Sequence, residues 1–581
     1  MIESPSTNPE YLMRARLSIR LFAAVLFLGS MVATQAYAQW QPNGVEVCAA
    51  STGQYRPVIV PDGSGGCVIA WRDATRNGYY AQHLNANGVP QWNADGVRIT
   101  DLPAPVELVG VGDGFGGIIV AWSNGSGIWA QKVTINGTLA WGSAGFAVCS
   151  GFANSRGGVQ IISDNLFSPF FGDPPPGAIL AWSDSRRGIT LSDVYAQSVT
   201  GNAAGRWTAG GVLVGADSSG QSQPYLVSDQ TSSSFRIPKG AIIVWGREHP
   251  SQWDVYAQRL NSSGVPQWGA NGIPVCAAPG NQFFSGAMAP TSSGNATMIW
   301  SDDRNGHTYD LYGNREGTAG EWATNGSPVA VVAGNKDFVV TTADGLGGAI
   351  VAWSDERADN GDIYLQHMDS GGNELWGPTG DPLVVKPNAQ VEPVLVPDGT
   401  GGTFVTYVDV ATDEDLYVQK ADSSGIAQWD PPIPLCVAQG DQQDQAAVSD
   451  GAGGIIVAWD DFRGGAIRIY AQHVSATGGV VAAPSQVSSS IQLAAPFPNP
   501  MRGTMTESFS LPTPERVSAE VFDVQGRLVR DVAKDEPFAA GRHELHWDGL
   551  DQTHERVAAG LYLFELHAGG KALVRREMVI R

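Results

Sequence analysis

An apolar strand ending in an aromatic residue recurs eight times along residues 51–480, at Trp71, Trp122, Trp182, Trp245, Trp300, Trp353, Tyr407 and Trp459. Neighbouring anchors lie 51, 60, 63, 55, 53, 54 and 52 residues apart. A recurrence in this range restricts a chain to solenoids, propellers or arrays. The fullest copy, DGLGGAIVAWSDERADNGDIYLQHMDSGGNELWGPTG, spans 344–380. Within each copy, Val-, Ile- and Tyr-rich runs alternate with Gly- and Asp-rich turns, the pattern of four short strands. In the first copy those runs are RPVIV, CVIAW, YYAQHL and GVRIT. The turn DGSGG at Asp62 returns as DGFGG, DGLGG, DGTGG and DGAGG at Asp113, Asp344, Asp398 and Asp450. The IVAW strand is apolar at consecutive positions, so both of its faces must be covered. A four-stranded unit with two apolar faces is stable only between copies of itself, which is how propeller blades pack.

The two ends of the repeat region complement each other. Seven copies continue into a fourth strand introduced by Trp92, Trp141, Trp207, Trp268, Trp322, Trp376 or Trp429. The eighth stops at YAQHVSATGGVV without one, and the missing piece, Trp40 through GVEVC, stands near the other end of the chain. The expected fold is therefore all-β: an eight-bladed β-propeller over 39–485, closed by the N-terminal strand, then a joint at 486–490 and a small Ig-like β-sandwich at 491–581. Closure removes the open sheet ends that a linear array would expose. The seven anchor tryptophans, Trp71, Trp122, Trp182, Trp245, Trp300, Trp353 and Trp459, are expected to be structural and buried between blades.

Residues 1–38 read as an export signal. Arg14, Arg16 and Arg20 precede the apolar run LFAAVLFLGSMVA, and Ala36-Tyr37-Ala38 supplies a small-x-small cleavage site. The expected location is thus outside the cell or on its surface. With 35 basic and 57 acidic residues the net charge is −22, which argues against nucleic acid as a partner and against anionic membrane surfaces. The five cysteines are odd in number and widely spaced, which argues against a disulfide framework. Cys48, Cys149, Cys276 and Cys436 share one position in the fourth strand of different repeats and read as small, partly buried hydrophobes. A monomer is expected.

After Ser485 the period ends, and about seven short alternating runs follow, which suit a small sandwich. Here PFPNP at 496–500, FDVQGRLVR from Phe522, GRHELHWDGLD from Gly541 and VAAGLYLFEL from Val557 resemble the FlgD-type Ig-like domain. They are also similar to the C-terminal sorting domains of the type IX secretion system. WDG at 547–549 leans toward the FlgD-like version, and His554 stands where such domains usually carry a turn glycine. The resemblance covers about the last ninety residues. It implies surface display or secretion, with the secretion machinery as a partner, and implies no reaction.

Chemistry is sparse in the motifs. No HExxH, GxSxG, CxxC or P-loop occurs. An Asp follows most anchors (Asp73, Asp184, Asp302, Asp355, Asp409, Asp461), often with an Arg after it, and its presence in nearly every copy points to a loop cap paired with that Arg. The Gln of YAQ, Gln82 and its equivalents, reads as a buried amide on a neighbouring backbone, and the residue after it as a solvated position. Breaks in the pattern matter more, because a site needs asymmetry. Two loops are acidic, with Asp355, Asp359 and Asp362 in one and Asp409, Asp413 and Asp415 in the next. Clustered oxygens of this kind are what Ca²⁺ takes, so Asp355, Asp359, Asp362, Asp413 and Asp415 are the candidate metal ligands. No other cofactor is expected. In REHPSQWD, His249 and Trp253 offer a platform for a sugar or peptide, and with Asp355 and Asp409 they form the candidate binding set. Blade three carries the insertion NLFSPFFGDPPPG at 165–177, expected to form an apolar flap.

The expected function is binding of an extracellular glycan or protein (polysaccharide, peptide or surface protein) on the variable-loop face, without catalysis. A polysaccharide lyase or hydrolase acting through the acidic loops is the second reading. A rigid adhesion spacer is the third.

Overall fold

The computed structural model describes residues 40–50, 53–102, 107–124, 127–150, 156–164, 175–188, 192–215, 219–230, 239–292, 294–306, 309–317, 322–358, 360–479, 491–493, 501, 503, 505–511, 515–538 and 541–580. The export signal at 1–38, the joint at 486–490, Asp359 and residues 165–174 of the blade-three insertion lie outside them. No helix among the described residues is long and apolar enough to cross a membrane.

Among the described residues all regular structure is β apart from one short 3₁₀ turn at Arg463–Gly465. From Val45 to Val474 the strands form seven four-stranded antiparallel sheets and one five-stranded sheet. The first is Gln54–Pro61, Cys67–Asp73, Gly78–Leu84 and Val97–Arg98, hydrogen-bonded in that order. In the five-stranded sheet the first strand is broken into Gln282–Phe283 and Met288–Ser292, both paired with Asn295–Asp302. The eighth sheet takes Gln442–Ser449, Ile455–Asp461 and Arg468–Val474 from its own repeat. Its fourth strand is Val45–Glu46, with Val45 opposite Ala471. The first strand of each sheet lies against the first strand of the next, and that of the eighth lies against that of the first.

The sheets stack through their second strands. Trp71, Trp122, Trp182, Trp300, Trp353 and Trp459 are fully buried and Trp245 nearly so, while Tyr407 fills the seventh position. A buried aromatic of this size contributes roughly 3–5 kcal/mol. Two latches recur between neighbouring sheets. The tryptophan that introduces a fourth strand reaches the hairpin of the following sheet: Trp92 Nε1–H donates to Ile135 O and Trp207 Nε1–H to Ser262 O, at 2.9 and 3.0 Å. Trp40 does the same from the N-terminal segment, donating to Ala86 O of the first sheet at 2.9 Å. Its ring lies over Gly88 (φ 73°), where any Cβ would come within 2.8 Å of the indole.

The second latch explains the repeated Asp, Arg and Cys. Trp300 Nε1–H donates to Asp302, Arg304 closes on the same carboxylate, and Arg304 also donates to Cys276 Sγ of the preceding sheet at 3.1 Å. The guanidinium lies 3.9 Å from the Tyr312 ring centre. Arg186 reaches Cys149, Arg463 reaches Cys436, and Arg76 reaches Cys48. That last pair joins the first sheet to the strand that completes the eighth. Burial pushes the Cys276 thiol up to about 11 and Cys436 up to about 12, so both stay protonated at neutral pH. All five cysteines are buried, and none is in a disulfide.

The residue after the YAQ glutamine is not solvated as its variable identity suggests. His83, His367 and His473 bond Asp62, Asp344 and Asp450 of the DG turns at 2.9, 3.0 and 2.7 Å, and Lys132 stands in the same place 3.2 Å from Asp113. The side chains are largely buried, and what repeats there is a donor to the turn carboxylate rather than one residue type.

Beyond 491 two sheets enclose a separate apolar core. One contains Gln492–Leu493, Met505–Leu511 and Gly541–Trp547; the other contains Leu528–Phe538, Glu515–Asp523, Gly560–Ala568 and Lys571–Val579. Phe509, Val521, Trp547 and Phe564 sit at its centre. His554 takes the left-handed conformation (φ 64°), and its N–H closes the turn on Asp551 O at 3.0 Å.

Candidate functional site

The first strand of each sheet begins beside the end of the second, as where Gln54 faces Asp73 and Gln442 faces Asp461. Its early residues therefore sit beside the central-hairpin loops, and Ala74 N–H donates to Gly53 O, Phe462 N–H to Asp441 O. Two residues further on, the ladder breaks in a bulge. Pairing slips between Tyr55 and Val58, Gly157 and Gln160, Ser222 and Tyr225, Asp337 and Val340, Val391 and Val394, and Gln443 and Ala446. The residue at the slip has positive φ each time: Arg56 (53°), Gly158 (60°), Gln223 (21°), Phe338 (53°), Glu392 (53°) and Asp444 (50°). Most residues adopt this conformation only at a cost, and such bulges turn a side chain out of the ladder.

Four of the sheets line a cavity of about 700 Å³ with these residues and their neighbours, among them Arg56, Phe338, Glu392, Asp444 and Gln445, and the five-stranded sheet adds Ser301. Phe338 is 49% exposed. Arg56 Nε lies 3.9 Å from Asp444. Behind them Asp460 is buried, and its Oδ1 accepts the Arg56 backbone N–H at 2.8 Å. Burial, and then the charge and hydrogen bond of Asp444, push the Asp460 carboxyl up to about 8, so it holds a proton at neutral pH. Glu392 is half-buried. Burial first, then the charges of Asp444 and Glu414, raise its carboxyl above the usual range, and no cation offsets them. Asp337 is raised by burial and by Glu356. Gln445 Nε2 donates to Glu392 O, whereas Gln445 Oε1 accepts from none of the described residues. Lys336 also borders the cavity, but its ammonium is buried and donates to the carbonyls of Tyr309, Val332 and Gly334.

The residues singled out in the sequence fall elsewhere. Asp355 is fully buried, accepting from Trp353 Nε1 at 2.6 Å and from Arg357, so it belongs to the latch. Asp362 pairs opposite it and accepts from Lys386 N–H. Asp409 is held by Lys386 Nζ at 2.8 Å and lies opposite Asp415, whose carboxyl is raised by burial, then by Asp413 and Asp409. Asp413 accepts from Gly440 N–H. Among the described residues no group of three or more His, Cys, Asp or Glu is arranged to hold a metal ion. His249 lies 3.0 Å from Asp254. Trp253 packs on Phe283, which meets Tyr309 edge-on, making a half-exposed aromatic group on the loop side.

The bulge residues escape a reading of the sequence because nothing about them repeats except conformation. One signal was present: in four sheets they stand fifteen residues before the anchor aromatic, as Arg56 does before Trp71 and Asp444 before Trp459.

No family model and no curated protein matches the chain. Solved structures with a similar arrangement include the BP39L lectin from Burkholderia pseudomallei, 14% identical, with a TM-score of 0.43 over 66% of this chain and 99% of the lectin. A puromycin hydrolase is 14% identical, with a TM-score of 0.38 over 73% of this chain, which spans 61% of that protein's length. A polysaccharide lyase, an ulvan lyase, is 11% identical, with a TM-score of 0.37 over 76% of this chain and 96% of the lyase. At such identities, what each of them binds or cleaves says nothing about this chain.

Proposed function

We propose that residues 39–485 form an eight-bladed β-propeller closed by the N-terminal strand, and that its loop-side cavity binds an extracellular polysaccharide. The pairing of Val45 with Ala471 and the cyclic succession of first strands support the closure. One observation carries the binding reading. Side chains from four sheets, turned out by strained bulges, line one cavity in which carboxylates and an unbonded amide oxygen stand beside a half-exposed phenyl ring. Acceptors take sugar hydroxyls, and an aromatic face takes a sugar ring. Strain of this kind persists where the surrounding structure over-determines it, which makes it a pointer to function. Residues 491–581 are an Ig-like domain of the FlgD or sorting type, serving export or anchoring after removal of the 1–38 signal. Their two-sheet core supports this.

A second reading, catalysis on the same polysaccharide, is favoured by the Asp444 and Asp460 pair. A carboxyl that holds its proton at neutral pH, with a second carboxyl beside it, is what general acid–base chemistry requires. Titration of the full chain against a panel of polysaccharides, with and without Ca²⁺, separates the readings if product release is recorded alongside binding. Saturable binding without release supports the first. Release that disappears in Asp460→Asn supports the second. Silence on every glycan, with binding of a surface protein or with none, ends both.

A further inference from the structure

Resting on the polysaccharide reading, the charge of the cavity narrows the sugar. Asp337, Glu392 and Asp444 face or border it with one cation, Arg56, which stands at Asp444. Lys336 adds no charge to the opening, because its ammonium is enclosed by three carbonyls and lies 3.5 Å from Asp310. Among the described residues Glu392 has no hydrogen-bond donor or cation on its carboxylate, although it is half-buried and the nearby charges of Asp444 and Glu414 oppose its ionisation. A half-buried anion in that state gains most from a cation arriving with a ligand.

Gln445 points the same way independently. The residue is 9% exposed and lines the cavity. Its amide orientation is settled chemically: the Glu392 carbonyl can only accept, so the nitrogen faces that carbonyl and the oxygen is the free end. A buried oxygen without a donor is costly to leave unsatisfied, and a ligand donor that reaches it recovers that cost. Cavity carboxylates and this oxygen together call for a ligand rich in N–H donors and positive charge. Phe338 beside them calls for a flat apolar ring face.

We propose that the cavity selects a glycan of amino sugars carrying free, protonated amines, with one ammonium between the Glu392 carboxylate and Gln445 Oε1 and a ring against Phe338. Glycans bearing uronates or sulfates would be repelled by the same carboxylates.

The test is calorimetric titration of the full chain, at about pH 6 where sugar amines are protonated, with three probes. These are a short glucosamine oligomer, its fully N-acetylated counterpart and an oligogalacturonate. The glucosamine oligomer should bind at least about tenfold more tightly than the acetylated one, and the galacturonate should not bind. Glu392→Gln should remove most of that preference without moving the thermal unfolding transition. Gln445→Met should weaken binding by about tenfold. Equal or tighter binding of the acetylated or anionic oligomer would overturn the charge selection and leave the polysaccharide reading standing. Glu392-dependent binding of an oligolysine peptide, with none of the amino-sugar oligomer, would overturn it in favour of a peptide ligand. A wild-type preference that survives Glu392→Gln intact would place the amine elsewhere and equally overturn it.

Discussion

Two positions recur around the molecule, and they differ in what is held constant. On the outer side, the Asp that follows the anchor holds its Trp, its Arg and the neighbouring fourth strand with the same residues in three sheets: Trp182–Asp184–Arg186–Cys149, Trp300–Asp302–Arg304–Cys276, Trp459–Asp461–Arg463–Cys436. At the bulge of the first strand the backbone repeats, and the residues do not: arginine, glycine, glutamine, phenylalanine, glutamate and aspartate all take positive φ there. A position that serves stability within and between sheets keeps its chemistry. A position used only where several sheets meet keeps its geometry and varies its chemistry, which is how one repeat would make the proposed asymmetric site.

The comparison breaks first if the ring is not closed by its N-terminal strand. Removing residues 39–50 takes away Val45–Glu46, the Trp40 contact with the first sheet and the Cys48–Arg76 pair together. The expected loss is on the order of 5 kcal/mol, read as a much lower unfolding temperature and wider exposure of the eighth sheet to hydrogen exchange. Unfolding at the wild-type temperature would mean that the outer latches do not depend on closure.

On the outer side, Asp355→Ala leaves the Trp353 indole N–H and the largely buried Arg357 guanidinium without their carboxylate. A cost of about 2–4 kcal/mol is expected, with glycan affinity unchanged in the fraction that remains folded. In Glu392→Gln the same two measurements should come out the other way round, with stability within about 0.5 kcal/mol and affinity lost. If both variants lost stability alone, the bulge would be another latch.

Between the two lies Asp460, buried like a latch residue and bonded to a bulge. Its folded carboxyl titrates at about 8 against an ordinary 3.8, so the folded chain holds a proton that the unfolded chain releases across that window. Stability from this group is therefore greatest at the acid end and falls as pH rises from about 4 to about 8, by at most about 1.4 kcal/mol per pH unit. Asp460→Asn still accepts the Arg56 N–H and has no proton to lose. Its unfolding temperature should match wild type near pH 4 and exceed it by pH 8, checked by thermal melts across that range. Parallel curves for the two proteins would show that Asp460 is ionised in the fold.

How much of this was legible follows from the same contrast. The anchor tryptophans, the DG turns, the split eighth repeat and the Asp–Arg pairs announce themselves because identity recurs at fixed spacing. The acidic loop residues drew attention by composition, yet Asp355 belongs to a latch and Asp409 is held by Lys386. Composition does not say which carboxylates already have partners. Gln445 and Asp460 looked ordinary, since what distinguishes them is a neighbour on another sheet: Glu392 for the first and Arg56 for the second, with Asp444 beside Asp460 on the adjoining strand. The histidines after YAQ were misread for a related reason, because His83 and Lys132 differ as letters and agree as donors to a turn carboxylate.

The smallest expected effect is the sharpest of the set. Phe338 is a bulky side chain at φ 53°, half exposed over the cavity. Left-handed backbone costs such a residue roughly 1–2 kcal/mol, which glycine would not incur, while glycine adds a comparable entropy to the unfolded chain and removes partial ring burial. These terms nearly cancel, so Phe338→Gly should leave stability within about 1 kcal/mol of wild type. Gly158 already occupies the equivalent bulge in the third sheet, so the fold accepts glycine there. Glycan affinity in the same variant should fall at least about tenfold, because the ring face is gone and the bulge remains. Chemical denaturation and calorimetric titration of one preparation measure both. Unchanged affinity would leave the strained phenylalanine without a use, and the contrast between a conserved geometry and a selected side chain would fail at the position where it is most exposed.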